Sequence, residues 1–320
     1  MDKKPKITDP TVLTSNMQRY REKLCSANIF LDKLLKSGVM KRVGFSQLID
    51  NFDLILFDAY GVLNSGAYPI KGAVAAINSC VEGGKNFLVV SNNASEKSLG
   101  VWQRLDKLGF NIKHEQIITS GMAIRSYLAD SPFKGKPYLL VGTQDSANDY
   151  CVDRDNLLLN PPDGPLKTDG KPAYILLCSN RDYYGKEQQK VVETQLAMGP
   201  LPLLVANPDI IVQGNNSESV VVAGYTAYEL ANRYNCPTMG IGKPFNPVYQ
   251  LALRQYPDIP AKRILMVGDS LTTDILGGAA MGFATCLTLS GIHGKDRDNI
   301  EAVCKSWTIQ PDYIINGIGS

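Results

Sequence analysis

The apolar positions change period near residue 54. Before it, Leu24, Ile29, Leu31, Leu34 and Leu35 recur at helical spacing among many Lys and Arg, so residues 1–50 read as a helical N-terminal extension with a solvated basic face. After it, short apolar runs alternate with helix-length segments, the pattern of a parallel sheet covered by helices. The predicted strands are Leu54–Phe57, Phe87–Val90, Tyr138–Val141, Tyr174–Leu177, Leu203–Val205, Ile264–Val267, Ala284–Leu287 and Tyr313–Ile315. Pro and Gly cluster at residues 160–165 and 198–202, marking loops in the middle third. The fold class predicted is α/β.

Length then suggests how this pattern divides. At 320 residues the chain is twice a typical domain of about 150, so two domains are expected. Hydrophobic residues at 44% and charged residues at 20% exclude a disordered or disulfide-dense chain. Lys plus Arg number 33 against 31 Asp plus Glu, a net charge of +2. No global field therefore argues for nucleic acid or an anionic membrane, and any anion site must be local. Seven scattered cysteines without a C-x-x-C pair, and only two histidines, fit a reducing cytoplasmic setting better than a disulfide framework or a zinc site. Residues 1–6 lack the apolar stretch of a signal peptide, and no run of 18 apolar residues predicts a membrane span.

Polar constellations follow several of the strands, where open α/β sheets place ligand sites. Leu54–Phe57 leads into Asp58-Ala59-Tyr60-Gly61, and Ile264–Val267 leads into Gly268-Asp269-Ser270-Leu271-Thr272-Thr273-Asp274. Carboxylates five apart, the first at a strand end, can converge on an oxygen-liganded cation such as Mg²⁺, although Asp58 and Asp269 read equally as turn residues and Asp274 as a helix cap. Phe87–Val90 leads into Ser91-Asn92-Asn93, a strand-to-helix turn whose hydroxyl and backbone N–H groups suit a phosphoryl oxygen or serve simply as an N-cap. In Gly242-Lys243-Pro244 the ammonium can neutralise a phosphate or a carboxylate pair, or lie exposed on a loop.

In order along the chain, Asp58, Ser91, Lys243 and Asp269 with Asp274 resemble the four signature motifs of the haloacid dehalogenase (HAD) superfamily. The resemblance spans residues 54 to 292 and is closest to the class IIA phosphatase-like branch, through Ser91-Asn92-Asn93, Ile118-Thr119-Ser120, Asn207-Pro208-Asp209, Gly242-Lys243-Pro244 and the segment 268–275. It implies a Rossmann-like parallel-sheet core over 51–120 and 239–320, interrupted by an α/β cap over 121–238. Spacing agrees: the roughly 30 residues from Asp58 to Ser91 hold no cap, and the roughly 150 from Ser91 to Lys243 hold a second domain.

The resemblance further implies a Mg²⁺-dependent phosphoester hydrolase acting on a small phosphorylated substrate. Asp58 would be nucleophile and metal ligand, with Asp269, Asp274 and the Tyr60 carbonyl completing the metal shell. Ser91 and the Asn92 amide would bind the phosphoryl group, and Lys243 would offset its charge. The family's usual acid–base Asp two residues after the nucleophile is Tyr60 here. Phenols titrate near 10 and make poor bases at neutral pH, so slow turnover is expected. Two alternatives stay open: a catalytically weak phosphate-binding or regulatory relative, and a dehalogenase-like hydrolase, whose branch also carries Tyr at this position. Cap surfaces and the N-terminal helices are candidate interfaces for a homo-oligomer.

Overall fold

Unbroken apolar runs such as Leu54-Ile55-Leu56-Phe57 are what a parallel sheet covered on both faces requires, and all four of these residues are buried. The computed structural model, which describes residues 40–150, 157–159, 171–213 and 219–320, builds such runs into two sheets. Strands β1 (Lys41–Arg42), β2 (Leu54–Phe57), the hairpin β3 (Asn64–Ser65) and β4 (Tyr68–Pro69), β5 (Phe87–Ser91) and β6 (Ile117–Thr119) come first. Then follow β7 (Tyr138–Val141), β8 (Leu157–Leu159), β9 (Tyr174–Leu177), β10 (Leu203–Val205), β11 (Ile211–Gln213), β12 (Ser219–Val221) and β13 (Thr238–Gly240). Strands β14 (Ile264–Gly268), β15 (Ala284–Thr288) and β16 (Tyr313–Ile315) complete the set.

The first sheet has the order β1-β16-β15-β14-β2-β5-β6 and the second β13-β10-β9-β7-β8. Both are parallel throughout, and β11 pairs antiparallel with β12 outside them. In the first sheet β2 and β14 are neighbours from which the chain proceeds in opposite directions, to β5 and to β15. That reversal is the topological switch point, where helices on opposite faces leave a crevice at the carboxyl ends of the strands. Register fixes what emerges there: Phe57 pairs with Val267, and Asp58 N donates to the Val267 carbonyl at 2.9 Å. The polar residues after β2 and β14 thus leave the sheet side by side.

The α/β class expected from the sequence is the one observed, and each predicted strand forms, with β5, β14 and β15 one residue longer. Strands β1, β3, β4, β6, β8, β11, β12 and β13 are not among the predicted ones; at two or three residues each they carry little periodicity of their own. Of the expected N-terminal helical extension, residues 1–39 lie outside the described residues. Its last stretch is not α-helical: Lys41–Arg42 pairs with Tyr313 and Ile314 at the sheet edge, and two 3₁₀ turns follow at Phe45–Gln47 and Ile49–Asn51. Phe45 and Leu48 there are buried against the core, so packing outweighs helical propensity. No helix among the described residues is long and apolar enough to cross a membrane.

Leu56 lies on β2 beneath the crevice with no exposed surface. Leu56→Ala is expected to lower unfolding free energy by about 2–5 kcal/mol, combining lost burial with a residual cavity. An urea unfolding curve with an unchanged slope and a lower midpoint is the readout.

Candidate active site

The crevice holds a buried ammonium among carboxylates. Lys243 is 1% exposed, and its Nζ donates to Asp58 Oδ1 at 2.6 Å. Nζ also lies 2.7 Å from Asp274 Oδ1, an ion-pair contact without hydrogen-bond geometry. Burial opposes the charge on Lys243, but Asp274 and Asp58 outweigh it and hold the ammonium firmly protonated. Burial raises Asp58 above the usual carboxylate range despite the pull of Lys243. Asp269 is raised well above it, by burial and by repulsion from Asp58 and Asp274.

Local backbone geometry makes this convergence possible. After β14 the chain enters a wide turn, in which Ile275 N and Asp274 N both donate to the Ser270 carbonyl at 3.1 Å. This five-residue closure over Leu271–Ile275 is a π-type turn, a feature frequent at functional sites. It folds Asp274 back over the strand end, where its Oδ2 accepts from Ser270 N at 3.1 Å. Asp269 Oδ2 accepts from Ile292 N at 2.8 Å. A Cβ at Gly61 would stand 2.0 Å from Asp269 Oδ2, and one at Gly291 1.9 Å away. Gly61 also has φ +80°, a conformation that side chains disfavour. The Gly after Tyr60 therefore makes room for the carboxylate that approaches from β14.

Carboxylate oxygens of Asp58, Asp269 and Asp274 can lie within 4.8 Å of one another, and all three residues are buried. With all three carboxylates ionised, one ammonium leaves two negative charges uncompensated, and the raised Asp58 and Asp269 reflect that shortfall. Hard oxygen donors with excess negative charge suit a Mg²⁺-like dication. The residues around this trio fit such an ion.

Ser91 at the end of β5 accepts a bond from Asn93 N at its Oγ, at 3.2 Å, and its hydroxyl can still donate. The Asn92 side chain is engaged at both its oxygen and its nitrogen. Its Oδ1 accepts from Lys243 N at 2.7 Å, while Nδ2 donates to the Lys243 carbonyl and to Asp209 Oδ1, each at 3.0 Å. A phosphoryl contact from residue 92 therefore falls to its backbone N–H. Tyr60 lines the same cavity of about 290 Å³ as Asp58, Ser91, Asn92, Lys243, Asp269 and Asp274. The Arg104 guanidinium lies 5.8 Å from its ring centroid and is itself paired to Glu96. All seven residues expected from the sequence thus line one cavity.

Glu96, Arg104, Arg181 and Asp209 also line it, and none was singled out for a role from the sequence. Asn207-Pro208-Asp209, one of the segments that carry the resemblance, forms a turn in which Asp209 N donates to Asn207 Oδ1 at 3.0 Å. Turn chemistry hid the side chain, because only the folded chain brings the loop after β10 onto Asn92. Burial pushes the Asp209 carboxyl up to about 6, against the pull of Lys243 and with Asp274 adding to the rise.

A family model described as haloacid dehalogenase-like hydrolase matches residues 55–151, and one described as HAD-hydrolase-like matches residues 240–320. The chain is 27% identical to a glycerol-3-phosphate phosphatase of Gallus gallus, over 85% of this chain and 91% of that one. A crystal structure from Cytophaga hutchinsonii, described as a possible sugar phosphatase of the HAD superfamily, aligns with TM-score 0.75. It is 27% identical and covers 88% of this chain and 99% of its own. A glycerol phosphate phosphatase from Mycobacterium tuberculosis, solved in complex with magnesium, shares the fold at TM-score 0.65 and 24% identity, over 86% of this chain and 76% of that one.

Replacing Lys243 by Met keeps the volume but strands the carboxylates without their cation. In metal-free buffer this is expected to cost about 3–5 kcal/mol, the range for removing one partner of a buried ion pair. Chemical denaturation with chelator present measures it.

Proposed function

Because the chain belongs to the haloacid dehalogenase-like hydrolases and resembles their class IIA phosphatases in fold, we propose that it hydrolyses a small phosphoester through a covalent phosphoryl intermediate on Asp58. The observation that carries this reading is Lys243 in contact with both Asp58 and Asp274, beside a carboxylate trio able to take a dication. Such a cavity is built to receive a dianion next to a carboxylate nucleophile, which without these cations would repel it.

An Asp58 carboxylate oxygen attacks phosphorus as the bond to the alcohol oxygen breaks, giving an aspartyl phosphate. Water then attacks the same phosphorus, the bond to Asp58 breaks, and orthophosphate leaves. Lys243 offsets charge on the phosphoryl oxygens, while the Ser91 hydroxyl and the Asn92 backbone N–H hold and orient them. Asp58, Asp269, Asp274 and the Tyr60 carbonyl would hold Mg²⁺, which supplies further charge neutralisation at the phosphoryl group. The Tyr60 side chain supplies no carboxyl for proton transfer, a contribution typically worth ~10²–10⁴-fold, so turnover is slow unless another group of the cavity supplies it. The second sheet enters the chain between Ser91 and Lys243, which the dehalogenase alternative, with its cap before the second motif, does not expect.

Phosphate release from 4-nitrophenyl phosphate is expected to require Mg²⁺, to stop with chelator, and to fall to background in Asp58→Asn. A wild type that binds Mg²⁺ and orthophosphate but turns over no member of a broad phosphoester panel would replace this reading with a binding or regulatory role.

A further inference from the structure

Hydrolysis by this route moves two protons, one onto the departing alcohol and one off the attacking water. Nothing assigned so far in the cavity carries them. Asp58 is the nucleophile, and Asp269 and Asp274 belong to the metal trio. Lys243 is held protonated by its carboxylates, and arginines do not exchange protons at working pH. Glu96 is occupied by Arg104 and by Asn93 Nδ2, the latter at 2.8 Å. Among the described cavity residues, Asp209 is the carboxylate that stands outside the metal trio and outside any ion pair.

We propose that Asp209 is the proton-transfer residue of this site, protonating the leaving alcohol and then accepting a proton from the hydrolytic water. The proposal rests on the phosphatase reading above. As the phosphorus–alcohol bond breaks and the Asp58–phosphorus bond forms, the Asp209 carboxyl gives its proton to the alcohol oxygen. As water attacks phosphorus and the bond to Asp58 breaks, the Asp209 carboxylate takes the water proton and its starting state returns. No other reactant is consumed.

Three features prepare Asp209 for this task. Its side chain lines the cavity that contains Asp58, although it comes from the loop after β10 of the second sheet. Its position is held from several sides: Asn92 Nδ2 donates to Oδ1, Asn207 closes the turn on its N–H, and Gly224 N donates to its carbonyl at 3.0 Å. The loop also packs tightly against the segment that leads from β13 to Lys243, since a Cβ at Gly242 would meet the Ala206 carbonyl at 2.6 Å and Pro208 Cδ at 2.7 Å. A fixed group serves proton transfer better than a mobile one. Finally, burial brings its carboxyl to about 6, near the operating pH where a group both gives and takes protons. The charged groups around it are Lys243, which favours ionisation, and Asp274, Asp58 and Asp269, which oppose it, with Arg181 and the Arg104–Glu96 pair also on the cavity wall.

The test uses the full chain with Mg²⁺ and a series of esters whose leaving phenols become more basic: 4-nitrophenyl, 4-chlorophenyl and phenyl phosphate. The value of kcat/KM reports steps up to departure of the phenol. Wild type is expected to depend weakly on the leaving group, whereas Asp209→Asn loses a few-fold on 4-nitrophenyl phosphate and ~10²-fold or more on phenyl phosphate, as removal of a general acid predicts. Asp209→Glu, which restores a carboxyl, is expected to recover part of the phenyl phosphate rate. Equal losses of Asp209→Asn across the series, or no loss at all, would overturn the role while leaving the phosphatase reading intact. A wild type without Mg²⁺-dependent turnover of any of these esters would overturn both.

Discussion

Keeping Lys243 charged inside the protein is the constraint around which the rest is arranged. An ammonium 1% exposed carries a desolvation cost of several kcal/mol unless carboxylates meet it at close range. Asp58 and Asp274 do so at 2.6 and 2.7 Å. Those two residues leave neighbouring strands only because β2 and β14 lie side by side at the switch point of the sheet. The glycines of the surrounding loops follow from the same requirement. Gly61 and Gly291 leave space for the Asp269 carboxylate, and Gly268 for the folded-back Asp274. A methyl group at any of these places would occupy the volume in which the charges gather.

This cluster is only partly neutralised by the protein, and that shortfall points to function. Three carboxylates against one ammonium are a poor arrangement for stability alone, where an apolar cluster of equal volume often does as well or better. They are a good arrangement for holding a dication next to a carboxylate nucleophile and for receiving a phosphoryl dianion once the cation is present. Charge surplus near zero over the whole chain is compatible with this, because the fields that matter act over a few ångströms inside a low-dielectric cleft.

Asn92 connects the charge cluster to the second sheet. Its amide pins the backbone of Lys243 on one side and the side chain of Asp209 on the other. Displacing the loop after β10 would therefore disturb the same residue that fixes the lysine. Seating of the inserted sheet and geometry of the charged site are coupled through one side chain whose hydrogen-bonding capacity is nearly all used.

Sequence alone specified the parts whose information is local. Strands such as Leu54–Phe57 and Tyr174–Leu177 were legible because burial on both faces demands uninterrupted apolar runs. The polar residues that follow them, Asp58, Ser91 and Asp269 among them, were legible because parallel sheets expose ligands at strand ends. Three-residue strands such as Ile117–Thr119 and Thr238–Gly240 carried no period of their own and exist because a neighbour offers its edge. Lys41–Arg42 likewise joins the sheet through pairing with β16, against the helical tendency of the preceding residues. The seven candidate site residues could be named from motif and spacing, but their meeting in one cavity, and the arrival there of Asp209 and Arg104, required the folded chain. The physical reason is that hydrophobic periodicity is written along the backbone, whereas the state of a charge depends on which other charges folding brings within a few ångströms.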